Sequence, residues 1–154
     1  SISGGFQTAV KRIRRRVNNE KLASEFMNEF TILRMLVGGR QAQDHPNVLK
    51  VYDIYEEPDS FYIVTELCTG GELFDQIMLR KTFTELSASM IFYQVLEAVR
   101  YLHENKIMHR DIKPENLLLS NSSPNACIKL IDFGSALAFE DSEPAPRRRV
   151  GTVL

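Results

Sequence analysis

Apolar residues recur at three- and four-residue spacing in two segments of the chain, which predicts two amphipathic helices. The first covers Ser24–Val37, and its apolar stripe consists of Phe26, Phe30, Leu33 and Val37. The second runs from Thr84 to about Asn105, with a stripe of Ile91, Val95, Val99 and Leu102. Thr84 is the expected N-cap of the second helix, because its hydroxyl can accept a backbone N–H of the first turn.

Shorter runs rich in β-branched and aromatic residues predict strands. Gln7–Ile13 alternates enough to form one of them. Val48–Tyr55 and Ser60–Leu67 flank turn-forming residues, so we expect a hairpin. The apolar runs Leu117–Leu119 and Ile128–Ile131 flank a second turn-rich stretch and predict another hairpin.

Bulk composition narrows the class of protein. The chain has 154 residues, of which 44% are hydrophobic and 25% charged, as in an ordinary globular domain. A net charge of −1 provides no overall field for nucleic acid or a membrane surface, so neither is an expected partner. No run of eighteen apolar residues and no signal-peptide pattern occurs, so no membrane span is expected.

The two cysteines, Cys68 and Cys127, lack the spacing of metal ligands and do not form a disulfide framework. A reducing compartment is therefore the expected environment. Together with the absence of a signal-peptide pattern, this predicts an intracellular location, in the cytoplasm or the nucleus.

Two polar loops beside predicted strands carry the candidate chemistry. The loop 109–116 reads His-Arg-Asp-Ile-Lys-Pro-Glu-Asn and places a carboxylate, an amine and an amide within six residues, at Asp111, Lys113 and Asn116. A second carboxylate, Asp132, follows the apolar run that ends at Ile131. Such residues suit a site for a divalent cation and phosphate, because Mg²⁺ takes one or two protein oxygens and leaves its other positions to water and phosphates.

Both loops resemble the signature of protein kinases, in which His-Arg-Asp, four residues and Asn form the catalytic loop and Asp-Phe-Gly holds metal. Thr8-Ala9-Val10-Lys11 upstream and Gly151-Thr152 downstream are similar to further parts of that signature. A chance Asp-Phe-Gly in an unrelated α/β protein is the competing interpretation. The ordered set of motifs disfavours it, because several motifs in sequence are much more specific than one.

The family that the chain resembles is the catalytic domain of eukaryotic-type serine/threonine protein kinases. Lys113, two residues after the Asp111 of the catalytic loop, is typical of the serine/threonine members. The segment Gly70–Asp75 and the loop 109–116 look most like the calcium/calmodulin-dependent and calcium-dependent branch.

The resemblance implies a chemical role for each residue of the two loops. Asp111 would orient the acceptor hydroxyl and take its proton, and Lys113 would steady the transferring phosphoryl group. Asn116, also in the catalytic loop, and Asp132 would hold Mg²⁺. His109, by contrast, matches a packing residue, which with Phe133, Leu33 and Val51 belongs to a stack of apolar side chains.

The resemblance also implies a binding site for ATP. Lys11 would hold the α- and β-phosphates and would pair with Glu29, because a buried lysine needs a partner to stay charged and positioned. Backbone groups near Glu66 and Cys68 would bond the adenine, and Glu72 would accept hydrogen bonds from the ribose. The competing interpretations are a solvated strand lysine, a surface carboxylate at position 29 and a carboxylate favoured by the helix dipole at position 72.

The implied architecture is an α+β, two-lobed, protein-kinase-like fold, with an antiparallel-sheet small lobe and the first part of a helical large lobe. Residues 1–67 would form part of an N-terminal lobe with strands and one helix. Residues 68–154 would form part of a C-terminal lobe with the hinge, the catalytic loop and the start of the activation segment. The implied partners are protein substrates with Ser or Thr, and a calcium-sensing regulatory domain or calmodulin in the parent protein.

The sequence departs from the family pattern at both ends. Ser3-Gly4-Gly5-Phe6 does not supply the Gly-x-Gly-x-x-Gly loop expected before Lys11, and the sequence stops at Leu154, where Ala-Pro-Glu is expected. A fragment of a larger kinase, a sequence with missing segments and a truncated gene product all fit this pattern. Without further helices, we expect an exposed apolar face on the long helix.

The functional prediction is an ATP-dependent serine/threonine protein kinase, present as a catalytic-domain fragment. The alternative is a non-catalytic, kinase-like fragment that acts as a binding or regulatory module. We expect residues 1–154 alone to bind ATP weakly at best and to show little turnover, because catalysis by positioning tolerates little looseness.

Overall fold

The computed structural model describes residues 7–14, 20–38, 44–79 and 84–140. A 3₁₀ turn at Pro114–Asn116 forms the end of the predicted catalytic loop. The helices and strands of the described ranges are, in chain order, β1 Thr8–Arg14, α1 Glu20–Gly38, β2 Val51–Glu56, β3 Ser60–Glu66, α2 Leu73–Leu79, α3 Glu85–Glu104, β4 Ile107–Met108, β5 Leu117–Leu119, β6 Ile128–Leu130 and β7 Leu137–Ala138.

The first three strands form an antiparallel sheet in the order β1–β3–β2. The central strand β3 is the most buried of the three, with Phe61 and Ile63 in the core. α1 packs against this sheet, and the rings of Phe30 and Phe61 meet edge to face with centroids 5.0 Å apart. The sheet and helix together form the N-terminal half of the fold.

The second half is built around α3 and two short antiparallel pairs. Thr84 caps α3, since its hydroxyl accepts the Ser87 N–H at 3.1 Å, as predicted. Ala98 and Leu102 are the buried residues of this helix, which packs against β4 and β6. β5 pairs with β6, and β4 pairs with β7. The predicted hairpin of Leu117–Leu119 with the next apolar run is confirmed.

The predicted apolar stripe of α1 is partly wrong. Phe30 and Leu33 are buried, but Val37 is 42% exposed while Ile32 is only 1% exposed. The face that turns toward the core has the same helical spacing and consists of Glu29, Ile32, Leu33 and Leu36. Because it begins with a charged residue, the apolar pattern of the sequence did not identify it. α1 also begins at Glu20, earlier than predicted, and the side chain of Phe26 lies outside the described part.

The start of β2 also differs from the prediction. Val48 forms an isolated parallel bridge with Leu130, and the Leu49 N–H donates to the Leu130 carbonyl at 3.0 Å. Val48 and Leu49 therefore associate with β6, and the sheet strand begins only at Val51. Residues 39–43 and the whole segment 141–154, which includes the predicted start of the activation segment, lie outside the described residues.

Among the described residues, α3 carries an exposed apolar face, as expected from the sequence. Each large apolar side chain of this face is more than half exposed, and the residues are Leu86, Met90, Phe92, Tyr93 and Leu96. The described helices include none that is both long and apolar enough to cross a bilayer.

Replacing Leu130 with alanine should destabilise the fold by roughly 2–5 kcal/mol, because Leu130 is 0% exposed and its removal leaves a cavity. Leu86→Ala is the matched control, since Leu86 is 71% exposed and should change stability by no more than about 0.5 kcal/mol. Chemical denaturation measures both values. Similar losses in the two variants would contradict the assignment of the core.

Candidate active site

The predicted catalytic loop brings three polar side chains together after β4. Asp111 Oδ2 lies 3.1 Å from Lys113 Nζ and accepts a 3.0 Å hydrogen bond from Asn116 Nδ2. The same Asn116 amide also donates to the Asp111 carbonyl at 2.8 Å. Asn116 is buried, so its amide fixes both the backbone and the carboxylate of Asp111. The loop therefore holds one carboxylate in a defined orientation beside an ammonium group.

The β5–β6 hairpin brings the second loop beside the first. Leu117 pairs with Leu130, and just beyond this pair the Ile131 N–H donates to the Asn116 carbonyl at 3.0 Å. Asp132 is the next residue, with a left-handed φ of 63°. Its Oδ1 accepts the Gly134 N–H at 3.2 Å. The two predicted metal ligands, Asn116 and Asp132, therefore flank the same end of one hairpin.

His109 is a packing residue in the structure, as predicted. Its Nδ1 accepts the Asp111 N–H at 3.3 Å, so its Nε2–H donates to the Ile131 carbonyl at 2.9 Å. Its ring meets Phe133 edge to face, with centroids 5.2 Å apart. Burial is the main influence on the ring and lowers the pKa of His109 below its usual value, which favours the neutral form.

The predicted pair of Lys11 and Glu29 is present and joins β1 to α1. Lys11 Nζ lies 2.8 Å from each carboxylate oxygen of Glu29. The expectation of a buried lysine is wrong, because the Lys11 side chain is 55% exposed and Glu29 is the buried member at 11%. An ammonium group has three N–H donors, and the exposed Lys11 side chain directs its Nζ at one partner carboxylate. That geometry leaves donor capacity for a second anion.

The predicted hinge begins at Glu66, the last residue of β3, and this residue has an additional role that the sequence did not suggest. Glu66 Oε1 lies 2.7 Å from Lys129 Nζ and accepts the Lys50 N–H at 2.7 Å. The Glu66 backbone N–H donates to the Lys50 carbonyl at 3.0 Å. The Glu66 carbonyl also accepts a 3.1 Å hydrogen bond from the Thr65 hydroxyl. The carboxylate, the N–H and the carbonyl of Glu66 therefore all have partners within the protein, and its role toward an adenine ring stays a prediction.

Cys68 and Glu72 lie farther along the same connection. Cys68 is half-buried, and burial, more than the nearby Glu66 carboxylate, raises the pKa of its thiol. Within the described ranges, no hydrogen bond uses the Cys68 backbone. Glu72 is exposed and directly precedes α2. Both predicted positions are accessible from the hinge side, and their roles toward a nucleotide stay predictions.

Two further residues of the site were missed in the sequence. Lys129 is a buried lysine within the apolar run of β6, and this pattern signals a partner, which the structure identifies as Glu66. Asn28 donates from its side-chain amide to the carbonyls of Gly134 and Ala136, at 3.1 and 2.6 Å. No sequence pattern marks Asn28, because its partners lie more than a hundred residues away.

The residues present fit a magnesium ion better than a metal held by a dedicated cage. Within the described part of the chain, no three His, Cys, Asp or Glu residues cluster as metal ligands. One carboxylate and one amide oxygen are what Mg²⁺ takes from protein when phosphates and water complete its shell. The Nδ2 of Asn116 is turned toward Asp111, so its Oδ1 is the atom left for a cation.

Comparison with known proteins decides the family. The protein kinase domain family matches residues 2–154. This chain belongs to the protein kinase family. The α+β, two-lobed kinase fold predicted from the sequence is therefore confirmed, and so is the resemblance to the calcium-dependent and calcium/calmodulin-dependent kinases.

Curated relatives of this kinase chain carry the names of that branch. The chain is 39% identical over 145 residues to calcium-dependent protein kinase 3 of Plasmodium yoelii yoelii. The matched region covers 93% of this chain and 26% of that relative. It is 36% identical over 150 residues to calcium/calmodulin-dependent protein kinase type I of Schizosaccharomyces pombe. This match covers 92% of the chain and 45% of the relative. The chain spans about a quarter of the length of the calcium-dependent kinases that it matches.

The burial of His109 predicts a pH dependence of stability. Its folded-state pKa lies below the unfolded value of about 6.5, so the unfolded state binds the proton more readily. The contribution of the neutral His109 ring to the free energy of unfolding should be fully present well above pH 6.5. It should decrease as the pH is lowered through 6.5, by at most about 1.4 kcal/mol per pH unit for one proton.

Chemical denaturation between pH 7.5 and 5.5 tests this dependence. His109→Leu should lower the slope without abolishing it, because burial also lowers the pKa of His45. An identical slope in the variant and the parent protein would show that His109 does not contribute.

Proposed function

We propose that the protein is an ATP-dependent serine/threonine protein kinase, which transfers the γ-phosphoryl group to Ser and Thr hydroxyls of proteins. The single observation that supports this most strongly is the arrangement of Asp111, Lys113 and Asn116 beside Asp132. Phosphoryl transfer requires positioning and charge neutralisation, and this arrangement offers both.

Asp111 is the group that receives the acceptor. Its Oδ2 is contacted by Lys113 and Asn116, so the carboxylate cannot rotate freely. A fixed carboxylate can orient a hydroxyl and accept its proton in the transition state. The Lys113 ammonium group lies beside the Asp111 carboxylate. There it can stabilise negative charge that develops on the transferring phosphoryl group.

Lys11, fixed by Glu29, would hold the nucleotide phosphates. The bidentate pair fixes the ammonium group, and its exposed face donates to phosphate oxygens. Asp132 and Asn116 are the residues that would hold Mg²⁺. When bound, Mg²⁺ would neutralise negative charge on the phosphates.

A calcium-sensing regulatory domain or calmodulin is the proposed regulatory partner. Two relatives are named for dependence on calcium, or on calcium and calmodulin, and support this proposal. The proposed location is intracellular, in the cytoplasm or the nucleus, where ATP and protein substrates are present.

Substitution of the two catalytic-site aspartates should separate turnover from binding. Asp111→Asn should leave Mg²⁺-nucleotide affinity nearly intact while the rate falls by roughly two or more orders of magnitude, because a positioned base is lost. Asp132→Asn should weaken Mg²⁺-dependent binding itself, because the charge that attracts the cation is lost.

Calorimetric titration with Mg²⁺-ADP and phosphorylation of a basic Ser/Thr peptide measure the two quantities in the full-length protein. Asp59→Asn is the control, since Asp59 lies in the exposed turn between β2 and β3. Equal losses of nucleotide affinity in Asp111→Asn and Asp132→Asn would contradict the assigned roles. A protein that binds Mg²⁺-ADP but phosphorylates no peptide would favour the non-catalytic alternative.

Thr65 should determine the depth of the nucleotide pocket. It is buried in β3 directly before the hinge residue Glu66, and threonine leaves more space there than methionine. Thr65→Met should therefore weaken inhibitors that extend behind the adenine position, with little change in the KM for ATP. Inhibition constants measure the effect, and Thr69→Met at an exposed position is the control. Equal inhibition of both variants would place Thr65 outside the pocket.

A further inference from the structure

Helix α1 is tied to the segment that follows Asp132 by one side chain. The partly buried amide of Asn28 donates from Nδ2 to the Gly134 carbonyl at 3.1 Å and to the Ala136 carbonyl at 2.6 Å. Asn28 directly precedes Glu29, the partner of Lys11. One turn of α1 therefore holds both the lysine of the N-terminal half and the loop of the predicted metal ligand.

The segment Asp132–Ala136 is held from its other side as well. Arg110, in the catalytic loop, donates from Nε to the Ser135 carbonyl at 2.7 Å. The Ala136 N–H closes a turn onto the Phe133 carbonyl at 3.0 Å. Three successive carbonyls, at positions 134, 135 and 136, thus accept hydrogen bonds from side chains of two different elements.

Gly134 is the link between Asn28 and the Asp132 carboxylate. Its N–H donates to Asp132 Oδ1 at 3.2 Å, while its carbonyl accepts from Asn28. Asp132 has a φ of 63°, a conformation that costs free energy for a residue with a Cβ and persists where the surroundings hold it. The Asn28 amide helps to stabilise this conformation, because two successive hydrogen bonds link it through Gly134 to the Asp132 carboxylate.

We propose that Asn28 is a positioning residue that couples the Lys11–Glu29 ion pair to the loop Asp132–Ala136. A shift of α1 that breaks the ion pair also withdraws the two donors from the loop, so each site stabilises the other. The inference rests on the function proposed above, because its consequence is for Mg²⁺-nucleotide binding. The net free energy of two hydrogen bonds corresponds to a change in the affinity for Mg²⁺-ADP of roughly tenfold to a hundredfold.

Nucleotide binding by the full-length protein tests the loss of the donors. Asn28→Leu removes both donors at similar size and should lower the affinity for Mg²⁺-ADP by roughly tenfold to a hundredfold. Asn28→Asp keeps size and polarity but presents an acceptor to two carbonyls, so it should bind no better than Asn28→Leu. Asn28→Ser, which keeps one shorter donor, should be intermediate. Wild-type affinity in Asn28→Asp would overturn the proposal.

Thr31→Ala is the matched control on the same helix. The Thr31 hydroxyl is exposed and donates to Met27 within α1 at 2.8 Å, so its loss removes a hydrogen bond without touching the loop. Its affinity for Mg²⁺-ADP should equal that of the parent protein. An equal loss in Thr31→Ala and Asn28→Leu would show a general weakening of α1 and would overturn the coupling.

A double-mutant cycle measures the coupling itself. Lys11→Met should lower the affinity for Mg²⁺-ADP by a larger factor in the parent protein than in Asn28→Leu, because only the parent transmits the broken ion pair to the loop. The ratio of the two factors is the coupling, expected at roughly tenfold to a hundredfold. Equal factors in both backgrounds would overturn the proposal.

Hydrogen exchange separates a failure of this inference from a failure of the proposed function, because it requires no nucleotide. Asn28→Leu should accelerate exchange at residues 134–138, and Thr31→Ala should leave it unchanged. A protein that binds no nucleotide but shows this local acceleration would retain the coupling while losing the kinase function. Unchanged exchange at 134–138 in Asn28→Leu would overturn the coupling, whatever the activity.

Discussion

The position of β6 is the constraint on which the rest of the structure depends. This three-residue strand is paired on one side with β5, and on its other side Leu130 exchanges backbone hydrogen bonds with Asn47 and Leu49. Gln94 of α3 accepts the Ile128 N–H, and its side chain also accepts from Asn47. Because Leu130 and its neighbours are fixed from three directions, the aspartate two residues later emerges at a defined place.

The interaction of Lys129 with Glu66 joins that strand to the hinge. Both side chains are largely buried, and each is the other's ion-pair partner. Such a pair adds little net stability compared with apolar residues, but loss of one partner costs about 3–5 kcal/mol because a buried charge is left uncompensated. The pair therefore ties the hinge closely to β6 and to the loop of Asp132. The exposed pairs of the surface have no comparable effect.

The sequence predicted the elements with strong periodicity and failed where tertiary contacts decide. α3, its Thr84 cap and the hairpin of β5 with β6 follow from spacing and turn chemistry, which are local. The register of α1 was misread, because a buried Glu29 belongs to the core-facing side and Val37 does not. The short pair of β4 with β7 joins segments about thirty residues apart, so no local pattern predicts it.

For the site, the motifs located the carboxylates but not their supports. Asp111, Asn116 and Asp132 were found because their spacing resembles a known signature. Asn28 and Arg110 act through backbone carbonyls of the 134–136 segment, and carbonyls carry no residue identity that a sequence pattern could register. Lys129 was the one support with a readable signal, a charge inside an apolar strand.

The left-handed backbone at Arg110 and Asp132 has a consequence for how this site can be altered. Both residues have φ near 65°, and each lies two residues after the end of a strand. Asparagine and aspartate both tolerate this region, whereas β-branched residues do so poorly. Random mutagenesis at position 132 would therefore select first for backbone compatibility and only second for a ligand. A catalytically silent but well-folded variant is reached through asparagine or glycine far more readily than through valine or threonine.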